Sequence, residues 1–395
     1  MNKPKIAYIS FDTVPAPKGA AIHIIAFSRI LADAFDGINL VTVSSTTECI
    51  DGQEIYPQVI QTTLPAVGDN LIQRVLYFRH QLKRWLQGKE FAAIHIRSIY
   101  EGYGIALQKS RYCQQLIFEV NGLPSIELKY RYPAVADDKE LLYKLRSQEQ
   151  ICLTAADLIL TPSKVTAQYL QSRGIPENKI KLIPNGVDLE VFTYKSIGDV
   201  TSKKQELQML YFGTLSSWQG VNLAIEALGL INKDIRADLT VIGQARPEQI
   251  KILKQLAHKL QVADKLQILA PMTQSELVQY IHTSDVILAP LTANDRNLIQ
   301  GCCPLKVLEG MATGIPIIAS DLPVVRELGE NQVHFLLVKP GSAKAIKDAV
   351  LQLYNEPTLA NQLAQNARKK IAENYTWHNA GQALIAAYTE LGCEV

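Results

Sequence analysis

The chain of 395 residues carries neither a GxGxxG fingerprint nor a Walker phosphate loop, so two familiar signs of nucleotide binding are missing. Hydrophobic residues make up 47%, yet no apolar run approaches the ~20 residues that span a bilayer. Lys3 and Lys5 lead straight into a short strand, so no signal peptide is expected. Cysteine is sparse: Cys49, Cys113, Cys152, Cys302, Cys303 and Cys393 are scattered apart from one adjacent pair. They offer no metal-ligand spacing and no disulfide framework, which points to reduced thiols in a cytoplasmic protein. Basic residues (40) and acidic residues (38) leave a net charge of +2, with no global drive toward nucleic acid. No Asp-x-Asp stands out as a metal site.

What the chain does have is alternation. Its length exceeds a typical single core and predicts two domains. Residues 5–10 (KIAYIS) read as a short buried strand, followed by the loop FDTVPAPKGAA and an apolar-periodic helix over 21–34. Only Gly19 is a glycine in that loop. Ala20 and Ala21 follow it, and small residues permit close ligand approach. Further strands are expected at 38–43, 92–97, 116–120, 157–160 and 181–183. Helical stretches separate most of them, which predicts a parallel sheet covered on both faces. A polar tract without apolar period, 193–205, marks a linker. Strands then follow at 207–212, 238–242, 266–269, 285–289, 315–319 and 334–338, with helices such as 221–231, 248–260 and 274–282. The expected architecture is α/β: two doubly wound, Rossmann-like domains facing across a cleft, 1–193 and 206–375. A terminal helix at 376–395 is expected to complete the first.

Residues 71–86 form an amphipathic segment, with Leu71, Ile72, Val75, Phe78, Leu82, Trp85 and Leu86 on one arc. Arg74, Arg79, Lys83, Arg84 and Lys89 surround them. A core-facing helix with a solvated basic side is the favoured interpretation. Peripheral contact of 71–89 with an anionic membrane is the other.

The most informative stretch is 301–309, GCCPLKVLE, with the helix it opens. It reads as a turn, a helix to about Ala312, a Gly-Ile-Pro break and the apolar strand 315–319. A helix start facing a parallel sheet offers unpaired N–H groups to phosphate, and Pro304 suits that position. Lys306 and Glu309 stand one turn apart. A cation beside phosphates and a carboxylate at ribose hydroxyls would suit a nucleotide diphosphate; an ordinary solvated helix face has the same spacing. Gly213, closing the strand 207–212, either lets a pyrophosphate approach or simply ends the strand.

Taken in order, SFDTVPAPKGAAIHI, AADLILTPSKVTAQYL, KIKLIPNGVDLEVF, YFGTLSSWQGVNLAIEAL, TVIG, SELVQYIHTSDVILAP and PLKVLEGMATGIPIIAS resemble the family-4 glycosyltransferases of GT-B fold, a group of retaining sugar transferases. The resemblance spans nearly the whole chain. It implies a nucleotide diphosphate sugar (UDP-, GDP- or ADP-sugar) as donor, no cofactor and no metal, and a sugar, glycolipid or small molecule as acceptor. Donor contacts are implied for Gly19, Ala20, Gly213, Thr214, Gln219, Cys302, Cys303, Pro304, Leu305, Lys306 and Glu309. Asn185 and Gly186, in the most specific motif, read as a structural turn and receive no catalytic role.

Departures from the family pattern sharpen these expectations. Gly301 replaces the first Glu of an E-x7-E motif, leaving Glu309 for the ribose. Thr214 and Gln219 replace the Arg and Lys that normally neutralise the diphosphate, so Lys306 is expected to take over that charge. A His-x-His pair of relatives is His95 and Arg97 here, two apart on one strand face. Arg97, with His95, is assigned near the reacting sugar or the acceptor, a satisfied core residue being the other reading of His95; a buried guanidinium needs an anionic partner. Glu119 is either that partner or an acceptor contact. Asn121 and Gly122 are acceptor candidates just beyond a strand end, whereas Arg326 reads as structural. The implied activity is sugar transfer from the nucleotide donor to an acceptor hydroxyl. A catalytically reduced GT-B binding or regulatory subunit and a nucleotide-sugar isomerase are the alternatives.

Overall fold

The computed structural model describes residues 6–196 and 206–393, except for the side chain of Ser217. Lys5 of the first expected strand, linker residues 197–205 and the last two residues of the expected terminal helix lie outside them. The chain divides into two units: Met1–Pro184 together with Ala380–Val395, and Asn185–Asn379.

The first unit is built on an eight-stranded sheet. Its strands are β1 (Ile6–Ile9), β2 (Ile38–Val43), β3 (Ile50–Tyr56), β4 (Val59–Leu64), β5 (Phe91–Ile96), β6 (Cys113–Glu119), β7 (Leu158–Thr161) and β8 (Ile180–Leu182). They lie in the order β3-β4-β2-β1-β5-β6-β7-β8. All pairs are parallel except β3 with β4. That hairpin was not expected from the sequence. Its outer strand, IDGQEIY, is polar and largely exposed, so it lacks the apolar run that marks a strand buried on both faces.

The second unit carries β9 (Leu207–Phe212), β10 (Ala237–Ile242), β11 (Leu266–Leu269), β12 (Val286–Ala289), β13 (Ile317–Ser320) and β14 (Leu336–Val338). Their order is β11-β10-β9-β12-β13-β14, parallel throughout. Helix Val221–Ile231 packs on this sheet through Leu223, Ala224, Ala227, Leu228 and Ile231. Truncating one such leucine to alanine costs about 2–5 kcal/mol. Among the parallel strands of each sheet the order reverses once, between β1 and β5 and between β9 and β12. Open parallel sheets bind ligands outside the strand carboxyl ends at such reversals.

Two expectations need adjustment. Residues 185–192, expected with the first domain, group with the second. Asn185 Nδ2 donates to the Cys303 carbonyl at 2.8 Å, Val187 bridges to Thr376, and Arg368 donates to the Phe192 carbonyl. Helix Leu71–Trp85 buries Val75, Phe78 and Leu82 as a core-facing helix should. Its basic side, however, is not uniformly solvated, because Arg79 donates to the carbonyls of Ile99 and Tyr100. Ile72, on the expected apolar arc, stands 59% exposed.

Candidate active site

In the second unit, the chain leaves β9 through Gly213, whose φ of 119° favours glycine. A Cβ there would lie 3.1 Å from Lys306 Cε and 3.3 Å from its Nζ. The missing side chain is therefore the space against which Lys306 rests. Lys306 is on helix Leu305–Ala312. Its Nζ donates to Tyr211 Oη at 3.1 Å and lies 4.2 Å from the centroid of that ring. Tyr211 Oη donates onward to the Thr214 carbonyl at 2.9 Å.

Lys306 and Glu309 are each only 7% exposed, so they are not a solvated helix face. Burial pushes the Lys306 ammonium down to about 7; Glu309 opposes that shift and Arg296 adds to it. Burial likewise pushes the Glu309 carboxyl up to about 7, against a hydrogen bond from Gln274 Nε2 at 3.2 Å. A cation and a carboxylate are thus held near neutrality on one helix face.

The turn before that helix is fixed from two sides. Asn185 holds the Cys303 carbonyl, and Cys302 Sγ lies 3.7 Å from Asn297 Oδ1. Asn185 thus positions the 301–304 turn. Gly186 is needed because a Cβ there would come within 2.4 Å of the Trp377 backbone nitrogen. Thr214 is exposed and Gln219 half-buried on the loop after β9. Arg326 is paired in a bidentate manner with Asp321, at 2.5 and 2.8 Å, and is structural.

In the first unit, five side chains converge on Glu119 at the end of β6. Tyr8 Oη donates to Oε2 at 2.7 Å, and His95 Nε2 lies 3.0 Å from the same oxygen. His23 Nε2 is 2.6 Å from Oε1, Arg97 Nε is 3.4 Å from Oε2, and Asn121 Nδ2 also donates to the carboxylate. Burial alone would raise the Glu119 carboxyl, but the adjoining His23 and Arg97 hold it well below the usual carboxylate range. Arg97 also pairs with Asp12 at 3.4 Å, and Asp12 with Lys18 at 2.8 Å.

These contacts correct two assignments. Glu119 was a candidate acceptor contact, yet it is interior and surrounded by donors. His95, assigned with Arg97 near the reacting sugar or the acceptor, is 0% exposed, as a core residue is. Its Nδ1 meets Tyr388 Oη at 2.7 Å and its ring lies 4.3 Å from that of Tyr8. Burial lowers the His95 pKa, which favours the neutral imidazole. Arg97 stands at the rim of this cluster. Gly19 and Ala20 open helix Gly19–Phe35, and Asn121 and Gly122 follow β6. At Gly122 a Cβ would come within 2.6 Å of Glu127 Oε2, so this glycine admits that carboxylate.

Several residues were not singled out in the sequence: His23, Tyr8, Tyr211, Gln274, Trp218 and Arg296. Arg296 lies over the Trp218 ring, with Cζ 4.0 Å from its centroid. For Tyr8, His23, Tyr211 and Gln274 the apolar spacing of their helices and strands is visible in the sequence but says nothing of such pairings; Trp218 and Arg296 lie in segments without periodic pattern.

Residues 195–370 match the model of glycosyl transferases group 1, and residues 17–191 match that of glycosyltransferase family 4. The D-inositol 3-phosphate glycosyltransferase of Xylanimonas cellulosilytica is 20% identical over 98% of this chain and 97% of its own length. The amylovoran biosynthesis glycosyltransferase AmsK of Erwinia amylovora is 27% identical over 58% of this chain and 55% of its own. Among solved structures, sucrose-phosphate synthase from Thermosynechococcus elongatus superposes with a TM-score of 0.83 at 20% identity, covering 99% of each chain. Anabaena HepE in complex with UDP-glucose gives 0.74 at 15% identity, covering 98% of this chain and all of its own. The structural likeness carries the fold, which is GT-B. With two family models matched in tandem over nearly its whole length, the chain belongs to the group 1 glycosyltransferases and is a sugar transferase.

Proposed function

We propose that the protein transfers a sugar from a nucleotide diphosphate sugar to an acceptor hydroxyl with retention at the anomeric carbon, acting in the cytoplasm and without a metal. The observation that carries this is the buried Lys306–Glu309 pair beside Gly213, at the reversal between β9 and β12. Glu309 takes the ribose hydroxyls. Lys306, the Thr214 hydroxyl and the backbone amides opening helix Leu305–Ala312 receive the diphosphate.

As the glycosidic bond breaks, negative charge grows on the departing phosphate, and a fixed cation there stabilises the transition state more than the ground state. The leaving phosphate oxygen accepts the proton of the attacking hydroxyl on the same face, so no glycosidase-like pair of carboxylates is required. Arg97 and the Asn121–Gly122 turn contact the acceptor, which is a sugar, a glycolipid or a small molecule. Ile72 and Leu76, 59% and 57% exposed beside the exposed Lys83 and Arg84, support peripheral contact of helix Leu71–Trp85 with anionic lipid. Co-sedimentation with phosphatidylglycerol vesicles checks that contact.

The HepE structure holds UDP-glucose, which makes it the first donor to try in a panel of UDP-, GDP- and ADP-sugars. Mass spectrometry should find a glycosylated acceptor. Proton NMR should show the donor's anomeric configuration in the product. An inverted product overturns retention. Release of nucleotide diphosphate with no acceptor modified, across sugar, polyol and lipid acceptors, overturns transfer.

A further inference from the structure

The loop after β9 has Thr214 and Gln219 where the resemblance to family-4 glycosyltransferases implies an Arg and a Lys, and it presents Trp218. We propose that Arg296, carried on the face of Trp218, is a second donor cation, so that the loops after β9 and β12 close on the diphosphate together with Lys306. This rests on the donor assignment above.

The two loops are fastened to each other. Thr292 donates from its backbone nitrogen and its hydroxyl to the Trp218 carbonyl, at 3.2 and 3.0 Å. Gly220 has a φ of 74°, and a Cβ on it would lie 1.8 Å from the Pro290 carbonyl oxygen, so the backbones touch. The second loop is also braced within itself. Asn297, fully buried, donates from Nδ2 to the Thr292 carbonyl at 2.8 Å, and its backbone nitrogen donates to Asn294 Oδ1 at 3.1 Å. Asn297 Oδ1 then lies against Cys302 Sγ, next to the turn that precedes Lys306. The backbone bearing Arg296 is therefore anchored both to Trp218 and to the Lys306 turn.

Arg296 Cζ lies over the indole ring and its Nη1 donates to Asn297 Oδ1 at 3.5 Å; a guanidinium carries five N–H donors in its own plane. That arrangement suits two-point contact with phosphate oxygens. Arg296 is near enough to Lys306 to disfavour the lysine's charge. Two cations brought together repel, and an anion bearing more than one negative charge relieves the repulsion. A nucleoside diphosphate has that charge, and a monophosphate has less of it.

Isothermal titration with UDP, ADP and GDP, each against its monophosphate, tests the assignment on the full chain. For the diphosphate that binds tightest, Arg296→Met should weaken binding on the order of tenfold. The matching monophosphate should lose less than about threefold, and Arg296→Lys should fall between. Trp218→Leu should lower diphosphate affinity in the same direction by a smaller factor, with an unchanged melting temperature confirming the fold. Equal losses for diphosphate and monophosphate, or no loss in Arg296→Met, overturn the proposal while leaving the donor assignment standing. Failure of the unaltered protein to bind any of the three diphosphates overturns both.

Discussion

The clusters at the two strand-order reversals bury charge in opposite ways. Around Glu119, Tyr8, His23, His95, Arg97 and Asn121 supply donors from every side, and the carboxyl is held firmly ionised. Around Lys306 and Glu309 burial outweighs the partners supplied, and both groups are driven toward their neutral forms. Saturated charge is architecture: it fixes Arg97 at the end of β5. Charge left short of partners in a buried place is poised to respond when a ligand brings the missing complement.

The sharpest test of this contrast is Glu119→Ala. Removing the shared acceptor leaves Arg97 and two histidines without it, and should destabilise the protein by about 3–5 kcal/mol, seen as a lower urea midpoint. The unaltered protein holds this contribution above the ordinary carboxylate range. It loses the contribution as the pH falls through the depressed Glu119 value. A midpoint shift no larger than that of a surface substitution would make the cluster energetically idle.

Lys306→Met should act on catalysis instead. We expect kcat to fall on the order of 10²–10³, as for loss of one preorganised donor, with donor KM changing less. The melting temperature should hold or rise, since a methionine removes a poorly partnered buried amine. Near-normal kcat would pass the charge work to Arg296.

Glu309→Gln should weaken nucleotide binding by about 1.5–3 kcal/mol. The unaltered protein should prefer ribonucleotide donors over their 2′-deoxy forms, and equal affinity for the two removes the ribose assignment.

The smallest expected effect is a proton count. At pH 8 Lys306, pushed down to about 7, is largely neutral, and a bound diphosphate restores its charge. Binding should therefore draw up to about one proton from the buffer, read as a dependence of the titration heat on the buffer's ionisation enthalpy. Glu309, also near 7, is already mostly ionised there and adds little. The unliganded pair has its own signature. Between pH 4.5 and about 7 the folded protein holds a Glu309 proton that the unfolded chain has lost, so the stability contribution falls as pH rises. From about 7 to 10.5 the unfolded chain holds the Lys306 proton, so the contribution climbs again. Its minimum lies near pH 7.

Much of this was legible in the sequence where burial is two-sided. β2 and β9 fall on their expected residues, because a strand covered on both faces must be an apolar run. The β3–β4 hairpin escaped because its outer strand is polar, and the domain boundary escaped because tertiary bonds from Asn185 and Val187 decide it. Lys306 and Glu309 were readable from helical spacing. Arg296 was not: ANDRNLIQ has no periodic pattern, and its place depends on an indole from a different loop. Nor could spacing show that His23 and Tyr8 meet Glu119, which needs the helix and strand already assembled.

One feature of the chain's layout governs the order in which it can be made. Residues 380–395 belong to the first unit, and the whole second unit is inserted before them. On the ribosome, β1 to β8 emerge early, but Tyr388 follows only after roughly 200 more residues, some 10–40 s later at ordinary translation rates. Until then the Nδ1 atom of His95, on a strand in the middle of the sheet, lacks the hydroxyl that it meets in the finished protein. The unit begun first is completed last, and the second unit can fold while the first still waits for its final helix.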